Sequence, residues 1–188
     1  MLMVVVALMV AGCSGSKIPV VTFDPLTPCT TDGRQPGAYP DLEAALPKTY
    51  QNQAPVSVDS GRNCTTTALG TLADAGIAGV RFAGATWDLG GTTALTVAVF
   101  EAGGLDASEM LGFYRDGATR NSKTEKLATS EVTVGSAAAY RLDVLQSDGT
   151  GQTVVTWPAT EPGRVYVLLA ADLGDAKVLE ALAVFGAR

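Results

Sequence analysis

The side chains able to do chemistry in this chain of 188 residues are few, and there is no histidine. That absence removes the Ser-His-Asp and Cys-His arrangements, the usual general base near neutral pH and the commonest zinc ligand. Carboxylate chemistry, a Ser-Lys pair, or no catalysis remain. Ser14-Gly15-Ser16-Lys17 matches the S-x-x-K nucleophile pattern. That chemistry needs the serine at the start of a buried helix, with S-D-N and K-T-G motifs downstream, and neither motif follows. Asp143, Asp148, Glu161, Asp172 and Asp175 are the acids of the C-terminal half. A carboxylate pair would suit glycoside hydrolysis and an oxygen cluster would suit calcium. No EF-hand spacing or adjacent acidic pair occurs among them, so they read as solvated turns and caps. Trp87, Tyr114, Tyr140 and Trp157 would line a groove for sugar or lipid if exposed, but they read more simply as core. The glycine-containing loops lack G-x-G-x-x-G and a P-loop lysine. No catalytic, metal-binding or cofactor-binding residue is therefore expected, and the chain reads as non-catalytic.

The three cysteines, Cys13, Cys29 and Cys64, are more informative. Two thiolates with no histidine to join them make a poor zinc site. Cys13 closes an unbroken apolar and small run from Met1 to Gly12. The run is too short to span a bilayer, which takes about 20 residues, and it has the form of a secretory signal. Val10-Ala11-Gly12-Cys13, followed by Ser14-Gly15-Ser16, resembles the lipobox of bacterial lipoproteins. The resemblance implies a signal peptide over 1–12, a diacylglyceryl thioether on Cys13, and an extracytoplasmic protein held to the cell membrane by lipid. Signals of this type begin with Lys or Arg. Met1-Leu2-Met3 has neither, so either the true start lies upstream or export is inefficient. With Cys13 lipidated, Cys29 and Cys64 are free to pair, as exported proteins allow. Such a bridge closes a loop of about 36 residues and stabilises by about 3–4 kcal/mol on the chain-entropy model. The alternative is two unrelated buried thiols.

The leader is uncharged, so the mature chain keeps the net charge of −6. An acidic domain is not expected to hold nucleic acid, which needs clustered Lys and Arg, nor to bind anionic lipid through a polybasic patch. The expected partners are the membrane, through lipid on Cys13, and an unknown small ligand or envelope protein.

Elements follow from periodicity and capping. Residues 13–37 hold Pro19, Pro25, Pro28 and Pro36 and no periodic pattern, which predicts a lipidated tether. A single domain is expected over 38–188. Pro40 opens a short helix carrying Leu42, Ala45 and Leu46, and Pro47 ends it. A second helix is predicted after Asn63, burying Ala68, Leu69, Leu72 and Ala75 and ending at Gly76. Val80 to Leu89 and Ala94 to Phe100 form a hairpin through Gly90-Gly91, and the second of these strands is apolar on both faces. Asp106 and Glu109 make a capping box, and Leu105 with Met110 a hydrophobic staple. The helix they start buries Ala107, Met110, Leu111, Tyr114 and Ala118, and the charged run from Arg115 to Lys126 leads out as a solvated loop. Strands follow at Glu131 to Val134, Ala138 to Leu145, Thr153 to Trp157 and Arg164 to Ala170. Ala138 to Leu145 is predicted to have a wet face carrying Arg141 and Asp143. A last helix, about Asp175 to Gly186, faces Val178, Leu179, Leu182 and Phe185 inward.

The predicted fold class is α+β: an antiparallel sheet of about six strands with helices packed on one face. This element order, with the lipobox residues Val10-Ala11-Gly12-Cys13, is similar to the Mog1/PsbP-like lipoprotein domains of actinobacteria. The resemblance carries over no functional residue beyond Cys13. The function expected is a non-catalytic ligand- or partner-binding domain on a lipid anchor. The alternatives are an accessory subunit of an envelope complex and a carboxylate-based hydrolase.

Overall fold

The computed structural model of the protein describes residues 22–186; the lipobox and Cys13 lie outside the described residues. The strands are β1 (Gly33–Gln35), β2 (Ser57–Asn63), β3 (Val80–Asp88), β4 (Ala94–Glu101), β5 (Thr124–Val134), β6 (Ala137–Gln146), β7 (Gly151–Pro158) and β8 (Arg164–Ala171). The helices are α1 (Pro40–Ala45), α2 (Thr66–Leu69), α3 (Thr71–Asp74), α4 (Ala107–Arg120) and α5 (Asp175–Phe185). All neighbours in the sheet are antiparallel, in the order β1-β2-β3-β4-β8-β7-β6-β5. The α+β class holds, with eight strands rather than about six.

Helices cover both faces of the sheet, not one. On the first face, α1 and α5 pack Leu42, Val178, Leu182 and Phe185 over Ala83, Trp87, Val97, Val155 and Leu168. On the second, α2, α3 and α4 pack Leu69, Leu72, Met110 and Tyr114 over Leu142, Val154, Val165 and Val167. The cause lies in the two central strands. β4 sends Leu95, Val97 and Val99 one way and Ala98 and Phe100 the other, and β8 divides Leu168 and Ala170 from Val165 and Val167 in the same manner. Strands apolar on both sides need cover on both sides.

The two strands missing from the sequence reading, β1 and β2, have no hydrophobic alternation. In β2 the inward positions include Ser60 and Arg62, both buried. Ser60 is satisfied locally: its hydroxyl accepts from the Tyr39 N–H at 2.8 Å and donates to Glu43 Oε1 at 2.7 Å. Arg62 donates to the carbonyls of Thr31 and Thr27 at 3.0 and 2.7 Å and lies over the Phe23 ring. These bonds, with the pairing of β1 on β2, fold residues of the expected tether onto the sheet edge. Gly61 permits the close approach, since a Cβ there would stand 2.3 Å from the Gly33 carbonyl oxygen. The Cys29–Cys64 disulfide closes the same segment onto the body, with its Cα atoms 5.3 Å apart.

Other corrections are local. The helix predicted after Asn63 is two single turns capped by Thr65 and broken at Gly70, whose φ of +52° suits glycine. Ile77 takes the buried place expected of Ala75, which is exposed. In α5, Ala181 is buried and Leu179 is 54% exposed. β5 starts seven residues before the expected Glu131, because charged residues on an exposed edge hide the strand pattern.

Candidate functional site at the β5 edge

Among the described residues, β5 is the terminal strand, and its only sheet partner is β6. A cleft opens beside it on each face of the sheet. The larger of the two, about 700 Å³, lies on the α5 face and is lined by Glu125, Lys126, Ala128, Asp143, Thr153 and Asp172, among others. The smaller, about 490 Å³, lies between α4 and β5 and is lined by Ser108, Leu111, Gly112, Arg115, Glu131 and Tyr140.

α4 is positioned by its N-terminus. Asp106 Oδ1 accepts the Glu109 N–H at 2.8 Å, and Glu109 Oε2 accepts the Asp106 N–H at 3.2 Å, completing the predicted capping box. Burial alone would raise the Asp106 pKa. The bonds from Glu109 and Ser108 outweigh it, and the carboxyl is held below its ordinary range. Thr156 anchors the first turn by donating to the Ala107 carbonyl at 2.7 Å.

The larger cleft is ordered by Arg141. Its guanidinium meets Asp143 through two bonds, at 2.8 and 2.9 Å, and Asp175 at the start of α5 at 2.6 Å. The Asp143 bond raises the Arg141 pKa against the opposing effect of burial, and Asp175 adds to the rise. The strand face expected to be wet is thus half-buried beneath the helix N-terminus. Asp143 also accepts from the Thr153 hydroxyl at 2.7 Å, so both its oxygens are engaged. Asp172 Oδ1 accepts the Gly151 N–H at 2.7 Å.

The structure therefore brings Asp143 and Asp172 to one cleft and Asp175 to the same ion-pair cluster. Asp148 closes its own turn by accepting from Thr150, and Glu161 stands at another turn beside Arg164. Trp87, Tyr114 and Trp157 are buried in the cores, whereas half-buried Tyr140 lines the smaller cleft. Cys29 and Cys64 form the disulfide. No group of three His, Cys, Asp or Glu side chains suited to a metal occurs among the described residues, and no helix there is long and apolar enough to cross a membrane. Sequence reasoning missed Glu125, Lys126, Gly112 and Arg115 at the clefts. Gly112 in mid-helix was a weak signal: a glycine there costs about 1 kcal/mol against alanine, but Gly117 in the same helix carries the same cost and lines neither cleft. No family model, curated protein or solved structure matches the chain.

Proposed function

We propose that this chain is an extracytoplasmic lipoprotein, anchored through lipid on Cys13, whose folded domain binds a partner and does not catalyse a reaction. One observation carries the reading. The Cys29–Cys64 disulfide uses two of the three cysteines, and the third stands at the end of the apolar leader in Val10-Ala11-Gly12-Cys13. A disulfide suits an oxidising compartment, and a lone cysteine directly after small residues suits lipid attachment. The likeness to Mog1/PsbP-like lipoprotein domains belongs to the same proposal and rests on element order and those lipobox residues.

A binding role is favoured over catalysis by the state of the acids in the larger cleft. Both oxygens of Asp143 are committed to Arg141 and Thr153, which takes it out of any carboxylate pair, while Asp172 gives only Oδ1 to a backbone N–H. A general acid or nucleophile needs an oxygen free to meet substrate. A partner protein is favoured over an enclosed acyl chain because side chains fill both cores, while the clefts open outward at the sheet edge.

The test is mass spectrometry of the N-terminal peptide from protein extracted from its own membranes. The expected peptide begins at Cys13 and carries the mass of a diacylglyceryl group with or without a further acyl chain. Cys13→Ala protein is expected to leave the membrane fraction. A peptide retaining residues 1–12, or an unmodified Cys13 thiol, would overturn the proposal.

A further inference from the structure

We infer that β5 is a strand-addition site for an extended, basic segment of a partner polypeptide. The inference rests on the partner-binding reading above and names the site and the chemistry of its occupant. β5 is eleven residues long, and among the described residues its outer edge has no partner. The outward N–H and C=O groups along such an edge bond water when free and are a ready template for another extended backbone. The opposite edge of the sheet is built differently: β1 is three residues long and is strapped down by the disulfide and by Arg62.

An added strand sends alternate side chains to the two faces of the sheet. Here each face offers a cleft at that place. On the α5 face Asp143 is neutralised by Arg141, which leaves Glu125 and Asp172 against Lys126; this acidic surplus, on a chain of net charge −6, suits Lys or Arg on the incoming strand. On the α4 face Gly112 leaves the cleft open, with no atom within 4 Å of where its Cβ would stand. An incoming side chain would have room there. A second copy of the chain is a poorer occupant, because each copy carries a net charge of −6.

The experiment uses the full chain in detergent, with intact mass recording its lipid. The probes are two ten-residue peptides, alternating Lys-Val and alternating Glu-Val. Hydrogen exchange of the β5 amides is read with each peptide. The Lys-Val peptide is expected to slow β5 exchange at least tenfold and to bind at least tenfold more tightly than the Glu-Val peptide. Gly112→Leu, whose Cβ enters open space in the smaller cleft, is expected to keep the fold and to weaken Lys-Val binding at least tenfold. Equal binding of both peptides, or protection elsewhere than β5, would overturn the inference. So would β5 protection without peptide in a dimer seen by light scattering, which would make a second copy the occupant. A chain lipidated on Cys13 whose β5 is unprotected removes the strand-addition site and leaves the anchor reading standing.

Discussion

Glu101 sits where three strands are cross-linked by charge. It lies opposite Arg81 of β3 on one side and Arg164 of β8 on the other. Both guanidiniums donate to it, Arg164 at 3.0 and 2.5 Å. Directly opposed unlike charges stabilise an antiparallel pair, and this carboxylate serves two pairs at once. Burial alone would raise its pKa, but the bonds and charges of Arg81 and Arg164 outweigh burial, so it is lowered. A carboxylate with a depressed folded-state pKa contributes stability above its unfolded pKa and loses it as pH falls through the folded value. Glu101→Gln is therefore expected to destabilise at pH 7 by about 1–3 kcal/mol. The gap from wild type should shrink between pH 5 and pH 3. Urea unfolding across that range checks it, and a gap independent of pH would refute the assignment. Asp32 follows the same sign: burial opposes, and bonds from Cys64 and Thr65 lower it. Its role was not legible in sequence, because it depends on β1 and α2 meeting. The pairing of Cys29 with Cys64 was legible, because setting Cys13 aside leaves only two cysteines.

At the scale of elements, legibility tracked local signals. α4 announces itself through Asp106, Glu109, Leu105 and Met110, all within one turn of its start, and that start forms as read; beyond it Ala118 is only partly buried, and the run expected as a solvated end and loop is divided between α4 (to Arg120) and β5 (from Thr124). Asp106→Ala should cost about 1 kcal/mol through the lost cap, measured as a lower denaturation midpoint with unchanged m-value. In the same helix Gly112→Ala should stabilise by about 0.5–1 kcal/mol, since alanine is the better helix former and its Cβ meets nothing. A destabilised Gly112→Ala would show that the glycine serves packing within the fold. β2 had no such signal. Its sequence, Ser57 to Asn63, is polar almost throughout, and it becomes a strand because β3 pairs its whole length while Ser60 and Arg62 find partners in other segments. The first part of β5, Thr124 to Ser130, was hidden for the related reason that it is mostly exposed and carries Glu125 and Lys126. The clefts could not be read at all, because each joins elements far apart in sequence.

Across the whole molecule, the sheet is a wall with its two edges finished in opposite ways. Helices on both faces bury its centre, and the strap that includes β1 seals one edge. The disulfide closes that strap onto the body, so reduction should lower stability by about 3–4 kcal/mol on the chain-entropy model. Comparing unfolding of wild type with a Cys29→Ser, Cys64→Ser protein measures this. A difference below about 1 kcal/mol would assign the hold to Arg62, Asp32 and the β1–β2 pairing instead.

That strap also sets a working radius. The chain is already on the sheet by Phe23, whose carbonyl accepts from Gln35 at 3.2 Å. On the proposed anchor at Cys13, the segment between lipid and sheet is Ser14 to about Thr22, not the whole stretch to Gly37. Pulled straight it reaches about 30 Å, at roughly 3.5 Å per residue. The eight-stranded sheet is itself about 34 Å wide, from strands about 4.8 Å apart. At full stretch that segment is slightly shorter than the sheet is wide, and it joins at the β1 side. On the proposed anchor the domain would stay within a thin layer over its bilayer, held from the edge opposite β5.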